Sequence, residues 1–166
     1  MATLSDVKNI TRQINSIYKL ALASMNSLID KMAAINPTAP DAQTQLDKLT
    51  AEYNSVRCKM LSQIHPLVSA EFEAFNTLSE ADKEKFNNSS EAEQERNYST
   101  QVDTTAYRQS KVYVDKRLSI LNATTPPATP TVNNTSTTST TTTTTNTNNL
   151  TGVASDDSGA TATNPT

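Results

Sequence analysis

The chain has 166 residues, of which 14 are basic, 17 acidic and one is histidine, for a net charge of −3 at pH 7. Its two glycines stand at Gly152 and Gly159. Phosphate-cradling loops, dinucleotide fingerprints and tight primed hairpins, which need positive φ, therefore have no foothold before that point. All 14 bases and 15 of the acids precede residue 122, and such a near-balance lacks the basic footprint of a nucleic-acid binder.

The first expected element is a helix over about 5–35. Val7, Ile10, Ile14, Ile17, Ala21, Met25, Leu28, Met32 and Ile35 step by 3, 4, 3, 4, 4, 3, 4 and 3 residues, which is an a/d-type apolar seam. Ser5 is the expected N-cap and Asp6 complements the positive helix end. Tyr18, Leu22 and Ile29 flank the seam and widen it, so the helix should touch two neighbours. The residue before a proline is pushed out of the α region, which predicts a stop at Asn36-Pro37. Asn36 to Pro40 then reads as a rigid turn, with Pro40 suited to the first position of the next helix.

A second helix is expected over 41–69. Leu46, Leu49, Tyr53, Val56, Met60, Ile64 and Leu67 step by 3, 4, 3, 4, 4 and 3 residues, so its seam matches the first. Equal arms, matched seams and a short connection predict an antiparallel helical hairpin. His65-Pro66 predicts a kink or an early end to the second arm. Residues 70–90 read as irregular, with a helix start at Ser79-Glu80-Ala81-Asp82 and a loop at Asn87-Asn88-Ser89. Phe72, Phe75 and Phe86 are expected to cap the end of the bundle.

Ser90 with Glu93 reads as a capping box opening a third helix over about 91–121. Its apolar face is poorer: Tyr98, Val102, Ala106, Tyr113 and Ile120 share a rough stripe with Gln109 and Arg117, while Val114, Leu118 and Leu121 form another. Glu91 to Arg96 is expected to be too polar to bury, so this arm is expected to pack mainly through its second half or to take its partner from another subunit. Of the last 45 residues, 18 are threonine and seven asparagine. Such a segment buries too little apolar surface to offset its conformational entropy, and reads as a low-complexity tail over 123–166.

Chemistry is sparse. His65 is the single imidazole, which excludes a two-histidine metal site and leaves one candidate base for nucleophilic catalysis. Cys58 is alone, so no internal disulfide can form. Glu71/Glu73 and Glu91/Glu93/Glu95 have i, i+2 spacing, which splays carboxylates around a helix instead of converging them. The start of the chain does not read as a secretory signal, and no window approaches the ~20 apolar residues of a membrane span.

The stretch from Leu28-Ile29-Asp30-Lys31-Met32 through Asn36-Pro37-Thr38-Ala39-Pro40 to Leu49-Thr50-Ala51-Glu52-Tyr53 resembles type III secretion needle subunits. Those are helical hairpins with an Asn-Pro-x-x-Pro-like turn, and the resemblance implies polymerisation into a hollow filament. It covers about 26 residues, and about 95 further residues follow the second arm. That departs from the family's pattern, in which the second helix ends the protein. The shared motif is accordingly read as one way of joining helices, without membership.

Together these features predict an all-α fold: an elongated antiparallel hairpin plus a third long helix, as a coiled-coil-like three-helix bundle over 1–122, then the tail. The expected role is a non-enzymatic structural subunit of a larger oligomeric assembly, such as a virus or bacteriophage particle, made in the cytosol. No cofactor, metal, nucleic-acid or membrane partner is expected; the partners are protein, including further copies of the chain. The packing or interface residues singled out are Ile10, Ile14, Ile17, Tyr18, Leu22, Met25, Leu28, Ile29, Leu49, Tyr53, Val56 and Met60. A rival expectation is a helical adaptor or assembly chaperone that receives an amphipathic partner helix.

Overall fold

The computed structural model describes residues 1–124, and the tail expected over 123–166 lies, from residue 125 onward, outside the described residues. The protein is all-α, with four helices among the described residues: α1 (Leu4–Ala33), α2 (Ala42–Asn76), α3 (Glu80–Asn87) and α4 (Ser90–Thr124). Contacts divide the chain between Leu121 and Asn122, and the packing described below concerns Met1–Leu121.

The start of α1 differs from expectation by two residues. Thr3, not Ser5, is the N-cap: its hydroxyl accepts from the Asp6 N–H at 3.2 Å, and the Asp6 carboxylate accepts from the Thr3 N–H at 2.8 Å. This reciprocal pair is a capping box with aspartate in the usual glutamate position. It holds the Asp6 carboxyl below its ordinary range, chiefly through the Thr3 backbone N–H. The helix ends at Ala33, and Ile35 is buried just beyond it. The Asn36 side-chain carbonyl accepts from the Thr38 N–H at 3.0 Å and its hydroxyl at 2.8 Å, an Asx turn that reverses the chain.

Pro40 does not open the second helix. Asp41 occupies the N-cap without a side-chain cap bond, and α2 begins at Ala42. The larger correction is at the far end, because α2 runs through Pro66 to Asn76. Proline removes the bond to the Ser62 carbonyl at a cost of ~3 kcal/mol. Pro66 and Ser62 are both solvent-exposed, so water can take the freed carbonyl. Burial of Ile64 before the proline, with Leu67 and Phe75 packed beyond it, offsets the loss, and tertiary packing overrides the local signal.

Ser79 caps α3, accepting from the Asp82 N–H at 3.2 Å. The cap of α4 falls on Ser89, one residue before the expected Ser90: its hydroxyl accepts from Ala92 N–H at 3.2 Å and its carbonyl from Glu93 N–H at 3.1 Å. Between these helices Phe86 is buried and meets Phe75 edge-on at 5.7 Å, with the Lys83 ammonium 5.8 Å from the Phe75 ring. Val7, Leu78, Phe86 and Ala92 close this end of the hairpin. Phe72 takes no part in that cap and is 64% exposed.

The middle of the hairpin is one apolar cluster drawn from α1, α2 and α4, and a second cluster at the turn joins Met32, Ile35, Ala42 and Leu46 with Ile120. The polar first half of α4 also meets the hairpin within the chain. Ala92 is buried, Tyr98 lies on Tyr18 with ring centroids 6.1 Å apart, and Val102 joins the central cluster. The polar Thr105 and Gln109 are buried among its inward residues, so α4 meets the hairpin without a continuous apolar stripe.

Candidate functional site

All twelve residues singled out from sequence lie in or against the central cluster. Ile14, Leu22, Met25, Leu28, Ile29, Tyr53 and Met60 are buried there, and Ile10, Ile17, Tyr18, Leu49 and Val56 pack against it half-buried. Their apolar surface is used within the chain. Tyr53 brings its hydroxyl into this cluster with no hydrogen-bond partner among the described residues, and burial raises its pKa.

Two polar junctions tie α4 across the hairpin. Near the α3 end, Arg12 of α1 pairs with Glu91 at 2.9 Å, and the Asn15 side-chain amide donates to the Glu91 backbone carbonyl at 3.1 Å. The buried Thr11 hydroxyl donates to the Val7 carbonyl at 2.9 Å and also faces the Glu71 carboxylate of α2. Glu95 of α4 meets Glu71 there. Partial burial, then the hydrogen bond and charge of Glu71, push the Glu95 carboxyl up to about 8. It therefore holds its proton at neutral pH and can donate it to Glu71, which lets two acids share one contact. Burial, followed by the nearby Glu95 charge, also raises the Tyr18 phenol.

At the turn end the contacts are cationic. The Lys116 ammonium donates to the Ala33 carbonyl at 2.9 Å and the Ile35 carbonyl at 2.7 Å, so α4 supplies the cation that the α1 C-terminus favours. Arg108 donates to Asn26 at 3.1 Å and pairs with Asp30, and Tyr113 donates to Asp47 at 3.3 Å. The Glu71–Glu95 meeting was invisible to i, i+2 counting because its partners are on different helices.

His65 and Cys58 are both exposed. Among the described residues no group of three or more His, Cys, Asp or Glu side chains could hold a metal ion. No helix among them is long and apolar enough to cross a membrane.

Apart from Leu20 of α1, 72% exposed, and Met1, the large apolar side chains left to solvent fall on two rows. On α2, Leu61, Val68 and Phe72 are 42%, 38% and 64% exposed, with His65 completing a 4, 3, 4 step. On α4, Tyr107, Val114, Leu118 and Leu121 are 72%, 53%, 54% and 44% exposed, with Lys111 completing a 4, 3, 4, 3 step. The Val114, Leu118 and Leu121 row was legible as a second α4 stripe. The α2 stripe was masked by His65-Pro66, although its heptad spacing would have revealed it. Comparison with protein-family models, curated proteins and solved structures gives no match, so these surfaces are read on their own chemistry.

Proposed function

We propose that the protein is a non-catalytic structural subunit that assembles with further copies of itself, built on α1, α2 and α4 as a coiled-coil-like three-helix bundle. One observation carries this reading: after the seam residues are covered internally, two heptad-spaced apolar stripes remain exposed on α2 and α4. Scattered surface leucines need no explanation, but aligned rows of large apolar side chains mark protein contacts. A component of a virus or bacteriophage particle is the specific role that fits best. It suits a small, seam-dominated chain, with the Thr-rich segment adding extended contacts to neighbours by multivalency.

Sedimentation velocity from micromolar to millimolar concentration tests the reading. Reversible, concentration-dependent growth beyond the monomer is expected. A strictly monomeric protein throughout that range overturns it. The adaptor reading draws on the α4 stripe, which has the spacing to receive one amphipathic helix; it predicts a monomer that binds such a helix instead.

A further inference from the structure

We infer that the contact between Glu71 of α2 and Glu95 of α4 is a proton-operated latch. While the two carboxyls share a proton, the first half of α4 lies closed on the hairpin; when the proton leaves, that half opens and the turn end of α4 stays bound. The latch belongs to the single chain and operates whether or not copies assemble.

Donors are scarce at this junction. The Thr11 hydroxyl has one proton to offer, yet its oxygen lies against both the Val7 carbonyl, at 2.9 Å, and the Glu71 carboxylate. Asn15, one turn further along α1, is buried. Its amide nitrogen is used on the Glu91 carbonyl, and its Oδ1 has no hydrogen-bond partner among the described residues. Two carboxyl groups can hydrogen-bond only with a proton between them. Glu71 and Glu95 make such a bond across two helices, so closure at this point depends on one proton.

The charged groups around the pair do not stand in for that proton. From α1, Lys8 and Arg12 act on Glu91, which Arg12 pairs at 2.9 Å. The Tyr18 phenol, also from α1, is itself raised by burial and by the Glu95 charge. From α2 the facing group is Glu71. On α4, Glu91 stands one turn before Glu95, Asp103 acts on Tyr18, and Arg96 favours the charged form of Glu95. Burial and Glu71 outweigh Arg96 and push the Glu95 carboxyl up to about 8. Loss of the proton therefore puts two like charges in one half-buried place and removes the bond that joined them.

The fold confines the effect to one end. Close backbone approach is between α1 and α2, whereas α4 reaches the hairpin through its side chains. Around Glu95 these are Val102 and Tyr98, which lies on Tyr18. At the turn end they are Lys116 on the Ala33 and Ile35 carbonyls, Arg108 on Asp30, and the buried Ile120. None of those contacts needs a carboxylic proton.

Amide hydrogen exchange of the full chain from about pH 5.5 to about pH 9, with intrinsic exchange divided out, reads local opening directly. One proton governs the closed form, so protection of residues 95–105 should fall by about tenfold per pH unit and level off above about 8. Protection of residues 110–121 and of α1 should hold across the range. Glu95→Gln sets a permanent donor against Glu71 and should remove the slope. Glu71→Gln does the same from the other side, and both keep side-chain size and helix propensity, so circular dichroism should be unchanged. His65→Gln, which takes the chain's one imidazole off the exposed side of α2, should leave the slope as it is. A flat profile in the unmodified chain overturns the latch. So does a slope that survives in both Glu variants, a slope that vanishes with His65→Gln, or loss of protection in 95–105 and 110–121 together.

Discussion

The α1–α2 hairpin and its junction with α4 are held by different physics. Between α1 and α2, matched aliphatic rows interlock around Ile14, Met25, Ile29 and Met60, all within 1% of full burial. Against α4 the contact is mixed: Tyr98 and Val102 pack, while Glu91, Glu95, Arg108 and Lys116 reach across to hydrogen-bond the hairpin. The first junction is non-directional and strong per unit area. The second is directional and depends on protonation. A helical protein can thus use an apolar seam to define its hairpin and polar contacts to orient a third helix on it.

The contrast can be broken at its strongest point first. Ile14→Asp places a charge in the buried cluster with nothing to pair it, and should cost about 4 kcal/mol or more, measured by urea denaturation. A loss under 1 kcal/mol would put the seam on the wrong face. Next in size is the protonation of Glu95. Its carboxyl is raised in the folded state from 4.5 to about 8, so the native protein binds this proton more tightly than the unfolded chain. The stability it contributes is complete below pH 4.5 and is lost as pH rises through about 8. Glu91 runs the other way. Its carboxyl is lowered, first by its own backbone N–H and then by Arg12, and its contribution fades as pH falls below the ordinary carboxylate range. Melting temperature should therefore decline from mildly acidic to alkaline pH, and Glu95→Gln should flatten that decline. An unchanged slope in Glu95→Gln would remove the shared-proton contact from the account.

Smaller effects sharpen the comparison. Lys116→Met removes the ammonium from the Ala33 and Ile35 carbonyls and should cost about 1 kcal/mol, with a reduced response to added salt. At the low end, Phe72→Gln should change stability by no more than about 0.5 kcal/mol. Its side chain is largely outside the packed interior, and a loss of several kcal/mol would mean that it is covered.

These differences also explain what could be read from the residues in order. The hairpin was legible because rows such as Ile10-Ile14-Ile17 and Tyr53-Val56-Met60 repeat a helical period on one face. Its turn was legible because Asn36 and Pro37 act locally. Pro66 misled, since the local penalty is outweighed by Ile64 and Leu67 packing that only the folded chain reveals. Placement of α4 was obscure for a related reason. Thr105 and Gln109 give no apolar rhythm, and contacts such as Arg12–Glu91 or Lys116–Ile35 join positions about 80 residues apart. The same holds for the surfaces proposed to carry assembly. An exposed row and a buried row have one periodicity, and only knowing which face the core consumes tells them apart.

Methyl-resolved NMR over a dilution series tests that separation most directly, because both kinds of apolar side chain are read in one sample. Signals from Leu61, Val68, Val114 and Leu118 should shift and broaden with rising concentration, while those of Ile14, Leu22 and Ile29 stay fixed. If the interior methyls respond instead, or no methyl responds at any concentration, the division between a sealed seam and two docking rows is contradicted.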